Sequence, residues 1–192
     1  MQLLTELNYQ TQMLHNKLLI SRADFLIYVQ TTDVGNDEKY LHPHIINAQL
    51  LDIKPTLGSA FFTDLLNNAD DDKYKTLLNG TTYTLNEKEV VFTGLKAAIV
   101  WYAVARKRRN ANAIDTGFGL ATKTSEFSQP VPSKQIDAMV QEAQSAGYAY
   151  LQEVIDFLNT NKADYPIWTP SCSMELKRRK SHRMNSISRL DD

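Results

Sequence analysis

One long helical pattern, from Leu85 to Ala113, most constrains how this chain can fold. Apolar and small side chains recur through its middle at alternating spacings of four and three residues, which marks one buried face of a helix. Asn86 precedes acidic residues and fits an N-cap, while four cations, Arg106 to Arg109, stand where they complement the partial negative charge of a helix C-terminus. We therefore predict a central helix. Its buried face combines two adjacent lines of residues: Val91, Leu95, Ala98, Tyr102 and Ala105, and beside them Val90, Gly94, Ala97, Trp101 and Val104.

A second long helical pattern begins at Ser133, which fits an N-cap. Small residues in both patterns, Gly94 and Gly147 among them, favour close approach, so we predict that the two helices pack together. Residues 113–133 between them are rich in Gly, Thr, Ser and Pro and predict a long projecting loop, in which Phe118–Phe127 alternates as a hairpin arm would. The seam of the second helix also alternates by four and three: Ile136, Val140, Ala143, Gly147, Tyr150, Val154 and Phe157.

Shorter helical patterns precede the central helix. The segment Asp24–Gln30 is compatible with a buried strand or with one helical turn, because periodicity cannot decide at that length. Asp37 fits the cap of the next helix, which Pro55 is expected to end or kink near Lys54. The predicted fold is mainly α: a small helical bundle with a long projecting loop or β-hairpin and a flexible C-terminal tail. We assign 1–36 to an N-terminal extension, 37–168 to the helical domain and 169–192 to a basic tail.

Length and composition are those of one soluble domain. The chain has 192 residues, of which 43% are hydrophobic, enough for one sizeable core and too few for two. Its single cysteine, Cys172, excludes an internal disulfide. No stretch has the pattern of a signal peptide or a membrane span, so we expect a cytosol-like setting.

The sequence offers no residues that we would assign to catalysis. It contains neither a GxxxxGK[ST] phosphate loop nor a GxSxG nucleophile motif. The spacing of His42 and His44 fits no usual zinc pattern, and the run Asp70–Asp72 is typical of a solvated turn. We therefore expect no enzymatic activity, no cofactor and no metal.

Two clusters of cations remain to be explained. The first, Arg106–Arg109, closes the central helix. The second lies in the tail, where no predicted element requires its charge, and it suits an acidic partner surface or nucleic-acid phosphates. Because aromatic residues do not interleave with it, we do not expect sequence-specific readout. This second cluster consists of Lys177, Arg178, Arg179, Lys180 and Arg183.

Four stretches in order resemble a family of head-tail connector (adaptor or ring) proteins of tailed Bacteroidetes and crAss-like bacteriophages. HPHIINAQLLDIKPTLGSAFFTDLL resembles the opening P-x-I-x-x-AQ…I…LG…L…L, and LKAAIVWYAVARKRR resembles the central P-A-L-A-W-Y-A helix. TGFGLATKTSEFSQPVPSKQIDAM resembles the G-x-x-x-x-S-E-x-S-x-P-A loop, and AYLQEVIDFLNTNKADYPIW resembles the closing Y…L…FL…N…P-W/Y. The resemblance spans Leu41 to Trp168, and Lys96 departs from it where a proline is expected.

The resemblance implies a virion structural protein at the head-tail junction, assembled in the host cytoplasm. Its partners would be copies of itself in a closed ring, commonly a dodecamer, the portal protein, further neck or tail proteins and, non-specifically, packaged DNA, with no membrane. Arg106, Lys107, Arg108 and Arg109 would then line the DNA channel, the tail cluster would bind the portal, and Phe118, Phe127 and Pro130 would lie in a subunit-interface loop. The alternative reading is a helical nucleic-acid-binding protein that uses the same basic clusters.

Overall fold

The computed structural model describes residues 17–29, 38–117, 119–122 and 130–169. The fold is mainly helical, as predicted. Its first half contains α1 (Arg22–Tyr28), α2 (Glu38–Ala48), a π-helical segment (Gln49–Ile53), α3 (Lys54–Leu57), α4 (Ser59–Asn67) and α5 (Asp72–Asn79). The elements that follow are β1 (Thr81–Leu85), β2 (Lys88–Phe92), α6 (Leu95–Arg109), β3 (Ala113–Thr116), β4 (Gly119–Thr122) and α7 (Ser133–Thr160).

The pairing of the two longest helices, α6 and α7, forms the centre of the core, which confirms the prediction. Leu95, Ala98 and Ile99 of α6 are completely buried, and α2 packs on the same helix. Gly147 of α7 gives the close approach expected from its size, because a Cβ there would lie 3.1 Å from the Tyr102 ring. Helix α7 begins at Ser133 after Pro132, so Ser133 is its first residue instead of its N-cap.

The segment 81–92 is a β-hairpin, so the predicted start of the central helix at Leu85 is wrong. Thr81 pairs with Phe92 and Leu85 with Lys88 in the antiparallel hairpin β1–β2. Asn86 and Glu87 have positive φ angles of 50° and 63° and form its two-residue turn, so Asn86 caps no helix. The central helix begins only at Leu95.

Gly94 has a different role from the one predicted. It precedes α6 with φ 97°, and a Cβ on it would lie 2.5 Å from the Leu78 carbonyl oxygen. The residue therefore allows the backbone to pass the end of α5 instead of bringing two helices together.

The helical path from α2 to α3 is continuous through the π-helical segment. Pro55 does not end it near Lys54; the path ends at Gly58, whose φ is 84°. Lys54 N–H donates to the Gln49 carbonyl, which is the wider π hydrogen-bond pattern. The helix thus passes a proline by changing its hydrogen-bond register.

Residues 17–29 belong to the core, although the sequence places them in an N-terminal extension. Segment Asp24–Gln30 is helical as far as Tyr28, where α1 ends; Val29 is extended, and the helix buries Phe25. The side-chain amide of Gln49, which is 1% exposed, accepts from Leu19 N–H at 2.8 Å and donates to the Lys17 carbonyl at 3.0 Å.

The predicted loop contains a hairpin, but of the predicted arm Phe118–Phe127 the structure describes only the strand Gly119–Thr122, and the other strand lies before it at Ala113–Thr116. Strands β3 and β4 pair antiparallel, with Ala113 opposite Thr122. Of the predicted subunit-interface residues, Pro130 is exposed, whereas Phe118 and Phe127 lie outside the described residues. The predicted flexible tail also lies outside them, apart from Thr169.

Candidate functional site at the cationic end of the central helix

Arg106, the first of the four cations on α6, is held by a carboxylate. Its Nε donates to Asp52 Oδ2 at 2.8 Å and its Nη2 donates to Asp52 Oδ1 at 2.9 Å. The π-helical segment positions Asp52, and both side chains are partly buried, with 31% of Arg106 and 22% of Asp52 exposed. A two-point contact of this kind fixes the guanidinium plane as well as neutralising its charge.

A small polar cavity of about 50 Å³ adjoins this ion pair. Tyr102 contributes to its wall, and burial, followed by the charge of Asp52 and the neighbouring Tyr148, raises the pKa of Tyr102 to about 12. The phenol therefore stays protonated at neutral pH. The cavity is lined by Asp52, Tyr102, Ala105, Arg106, Arg109 and Gln144.

Lys107 and Arg108 lie on other sides of α6. Arg108 Nη1 donates to the Met139 carbonyl of α7 at 3.2 Å. Burial, followed by the positive charges of Lys107 and Arg106, lowers the pKa of His44 on α2. The four cations therefore diverge around the helix, and at least Arg106 and Arg108 bind protein groups directly.

Arg109 is the exposed member of the cluster. It borders both the small cavity and a groove of about 260 Å³ at the base of the β3–β4 hairpin. Asn112 lies in the same groove, and its side-chain amide donates to the Val131 carbonyl at 2.6 Å. Of the four predicted channel residues, Arg109 is thus the one best placed to meet an external anion.

The sequence alone does not predict that Asp52 is the partner of Arg106. Asp52 is 54 positions away along the chain, and only the π-helical segment brings its carboxylate onto α6. The one indication in the sequence that Asp52 has a partner is that it is an acid within an apolar helical segment, between Leu51 and Ile53.

Other predicted site residues fall outside this cluster or outside the described residues. Lys177, Arg178, Arg179, Lys180 and Arg183 all belong to the part of the tail that is not described. In the described ranges, no group of three or more His, Cys, Asp or Glu side chains could hold a metal ion. Over the same ranges, no helix has the length and apolar character needed to cross a membrane.

Fold and site together define a small, mainly helical protein. Its central helix ends in four cations that point in different directions, and open grooves lie on its surface. The chain belongs to a family described as Family of unknown function (DUF6712), which matches residues 53–178, about two thirds of its length. No curated protein and no solved structure matches the chain.

Proposed function

We propose that this protein is a virion structural protein, a head-tail connector ring subunit that joins the portal to the tail and surrounds the DNA channel. The proposal begins from the resemblance to phage connector proteins between Leu41 and Trp168, which overlaps most of the family match. Four motifs that occur in the same order over a whole domain are harder to obtain by chance than a single motif. In this proposal the protein is located at the head-tail junction of a virion.

The arrangement of the two hairpins is the observation that carries the proposal. Hairpin β1–β2 ends shortly before α6 and hairpin β3–β4 begins shortly after it, so the two lie near opposite ends of a helix about 22 Å long. Val91 on the first hairpin is 74% exposed, and Thr116 and Thr122 on the second are exposed. Contact elements at opposite ends suit head-to-tail association, which gives a ring where the rotation closes.

The cationic end of α6 supports a channel role mainly through Arg109. Asp52 neutralises Arg106, and a hydrogen bond to the Met139 carbonyl holds the Arg108 side chain against α7, so the cluster presents less positive charge to a duplex than four solvated cations would. Weak, non-specific attraction is what a channel needs if the duplex is to slide past. In this proposal the tail cluster Lys177–Arg183 binds the portal, and other neck or tail proteins bind the opposite face of the ring.

Native mass spectrometry and electron microscopy of the full chain, alone and with the portal protein of the same virus, test the proposal. We expect a closed homo-oligomer, with twelve copies as the resemblance implies, that binds the portal. A protein that stays monomeric and fails to bind the portal under all assembly conditions is not a connector.

Matched surface variants sharpen this experiment. Val91→Glu places a charge on the outward face of the first hairpin and is expected to prevent ring formation without unfolding the subunit. Thr63→Glu adds the same charge at an exposed position of α4 and is expected to leave the ring intact. Steeply salt-dependent duplex binding by a monomer, with no ring, would favour the nucleic-acid-binding alternative.

A further inference from the structure

The outer edge of strand β1 is free to accept another strand. Around a two-residue turn, the flanking residues Leu85 and Lys88 exchange hydrogen bonds, and the bonded positions then alternate along the hairpin. The amides of Thr82 and Thr84 therefore point away from β2, and within the described ranges neither has a hydrogen-bond partner outside the hairpin. The sequence of β1, TTYTL, has none of the lysines or prolines that commonly block an exposed edge.

A groove of about 330 Å³ runs beside this edge. It is lined by residues of β1 and by none of β2, so it lies on the unpaired side of the hairpin. Its floor is aromatic: Phe157 stacks on Phe92 at 4.3 Å between ring centroids, and Tyr165 meets Phe157 edge-on at 6.0 Å. A strand in this groove would need apolar side chains on one face. The lining residues are Lys73, Thr76, Thr81, Thr82, Tyr83, Phe157, Asn161, Asp164 and Tyr165.

The described part of the chain ends next to the groove. Trp168 N–H donates to the Tyr165 carbonyl at 3.0 Å, and Tyr165 is part of the groove wall. Only Thr169 and Pro170 separate Trp168 from the segment 171–176, whose sequence is SCSMEL. The three residue steps from Trp168 to Ser171 span at most roughly 10 Å, so this segment starts close to the groove.

Segment 171–176 has the pattern that the groove requires. Polar and apolar residues alternate strictly, which places Cys172, Met174 and Leu176 on one face of an extended strand. The family match supports its inclusion in the folded unit, because that match continues past Trp168 and ends at residue 178. It takes in the alternating segment and leaves out residues 179–192.

We propose that residues 171–176 of the same chain form a third strand on the outer edge of β1, with Cys172, Met174 and Leu176 in the groove. The added strand turns a two-stranded hairpin, marginal by itself, into a three-stranded sheet with one covered face. It divides the predicted tail into a docked strand and a basic end. If the proposed function holds, the strand also fixes the point at which the portal-binding cations leave the subunit; the strand pairing itself does not depend on that function.

Hydrogen exchange on full-length variants tests the strand. Met174→Asp places a charge on the groove face and is expected to speed exchange of the Thr82 and Thr84 amides about tenfold or more. Ser173→Asp adds the same charge on the opposite face and is expected to leave both amides protected. The outward amides of Glu89 and Val91 on β2 provide an internal control. Unprotected Thr82 and Thr84 in the unmodified protein, or equal effects of the two variants, would overturn the proposal.

Disulfide trapping tests whether the strand comes from the same chain. Because Cys172 is the only cysteine, a second one introduced on β1 can pair within the chain only with it. We expect at least one of Thr81→Cys, Tyr83→Cys and Leu85→Cys, which share the groove-side register, to form an intrachain disulfide on mild oxidation. Thr84→Cys, on the other face and not part of the groove wall, and Thr63→Cys on α4 serve as controls. Exclusively interchain disulfides would assign the strand to a second copy, and no disulfide would remove it; both overturn the proposal.

Discussion

Lys96 Nζ lies 2.8 Å from Asp24 Oδ1 and ties the N-terminal helix α1 to the first turn of α6. The two side chains are 20% and 19% exposed, so solvent screens the pair only in part. Lys96 is also the position at which the sequence departs from the proline of the connector pattern. The departure gives this chain an ion pair that holds residues 17–29 on the core.

The ion pair predicts a pH-dependent contribution to stability. Burial would raise the pKa of Asp24, but hydrogen bonds from Lys96 and Ser21 outweigh it and lower the pKa. A carboxylate with a lowered folded-state pKa stabilises the fold above its unfolded pKa of about 4 and loses that contribution as the pH falls through the folded value.

Replacement of Lys96 measures this contribution. Lys96→Gln is expected to lower the free energy of unfolding by about 1–3 kcal/mol at pH 7, with the difference from the unmodified protein closing below about pH 4. Lys88→Gln removes the same charge at an exposed hairpin position and is expected to cost less than about 0.5 kcal/mol. Urea unfolding at several pH values gives both numbers, and a Lys96→Gln difference that does not shrink as the pH falls below 4 would contradict the assignment.

Gly94 and Gly58 form a matched pair for testing close backbone contact. Their dihedral angles are similar, φ 97° and ψ 159° for Gly94 against φ 84° and ψ 145° for Gly58. A Cβ on Gly94 would lie 2.5 Å from the Leu78 carbonyl oxygen, whereas one on Gly58 would have no atom within 4 Å. The two substitutions therefore share backbone strain and differ in the clash.

Both substitutions to alanine are expected to destabilise the fold, by unequal amounts. Gly58→Ala should cost about 1–3 kcal/mol through backbone strain alone, and Gly94→Ala should cost about 1–3 kcal/mol more, because the end of α5 has to move. Urea unfolding with unchanged slope is the measurement. Equal costs would mean that the contact at Gly94 relaxes freely.

Gly147 controls how closely α7 approaches α6. Gly147→Leu forces the Tyr102 ring away from α7 and is expected to lower the free energy of unfolding by about 1–3 kcal/mol. Ala149→Leu, two residues along and exposed, is expected to change it by less than about 0.5 kcal/mol. In a double-mutant cycle, Tyr102→Ala should recover part of the loss, whereas strict additivity would show that the leucine clashes elsewhere.

The long helices could be predicted from the sequence because their apolar faces repeat over four or more turns. The β1–β2 hairpin could not, because Val90 and Val91 fit a helical seam as well as a strand. Asn86 was equally ambiguous, since asparagine favours helix N-caps and also tolerates the left-handed conformation of a turn. The β-branched run TTYTL favours a strand, but the Asn-Glu pair after it is not one of the usual two-residue turn sequences.

The sequence predicts that the four cations end a helix, as they do in α6, but it does not predict how each side chain is paired. A run of four cations at a helix end indicates a positive surface when each side chain is solvated. Here Arg106 is neutralised by Asp52, a contact set by the hydrogen-bond register of the π-helical segment. No local pattern in the sequence specifies that register, because it results from packing between distant segments.

Arg106 and Arg109 have different roles in the cluster, because Arg106 is paired with Asp52 and Arg109 is exposed. Arg106→Gln leaves Asp52 unpaired and partly buried, so it is expected to lower the free energy of unfolding by about 1–3 kcal/mol. Arg109→Gln is expected to leave stability unchanged and, under the proposed function, to weaken duplex DNA binding and reduce the slope of log affinity against log salt by about one. Thermal unfolding and salt-dependent anisotropy on the same samples separate the two effects, with Lys88→Gln as the control for net charge. If Arg106→Gln reduces the salt slope while Arg109→Gln leaves it unchanged, Arg109 is not the residue that meets DNA.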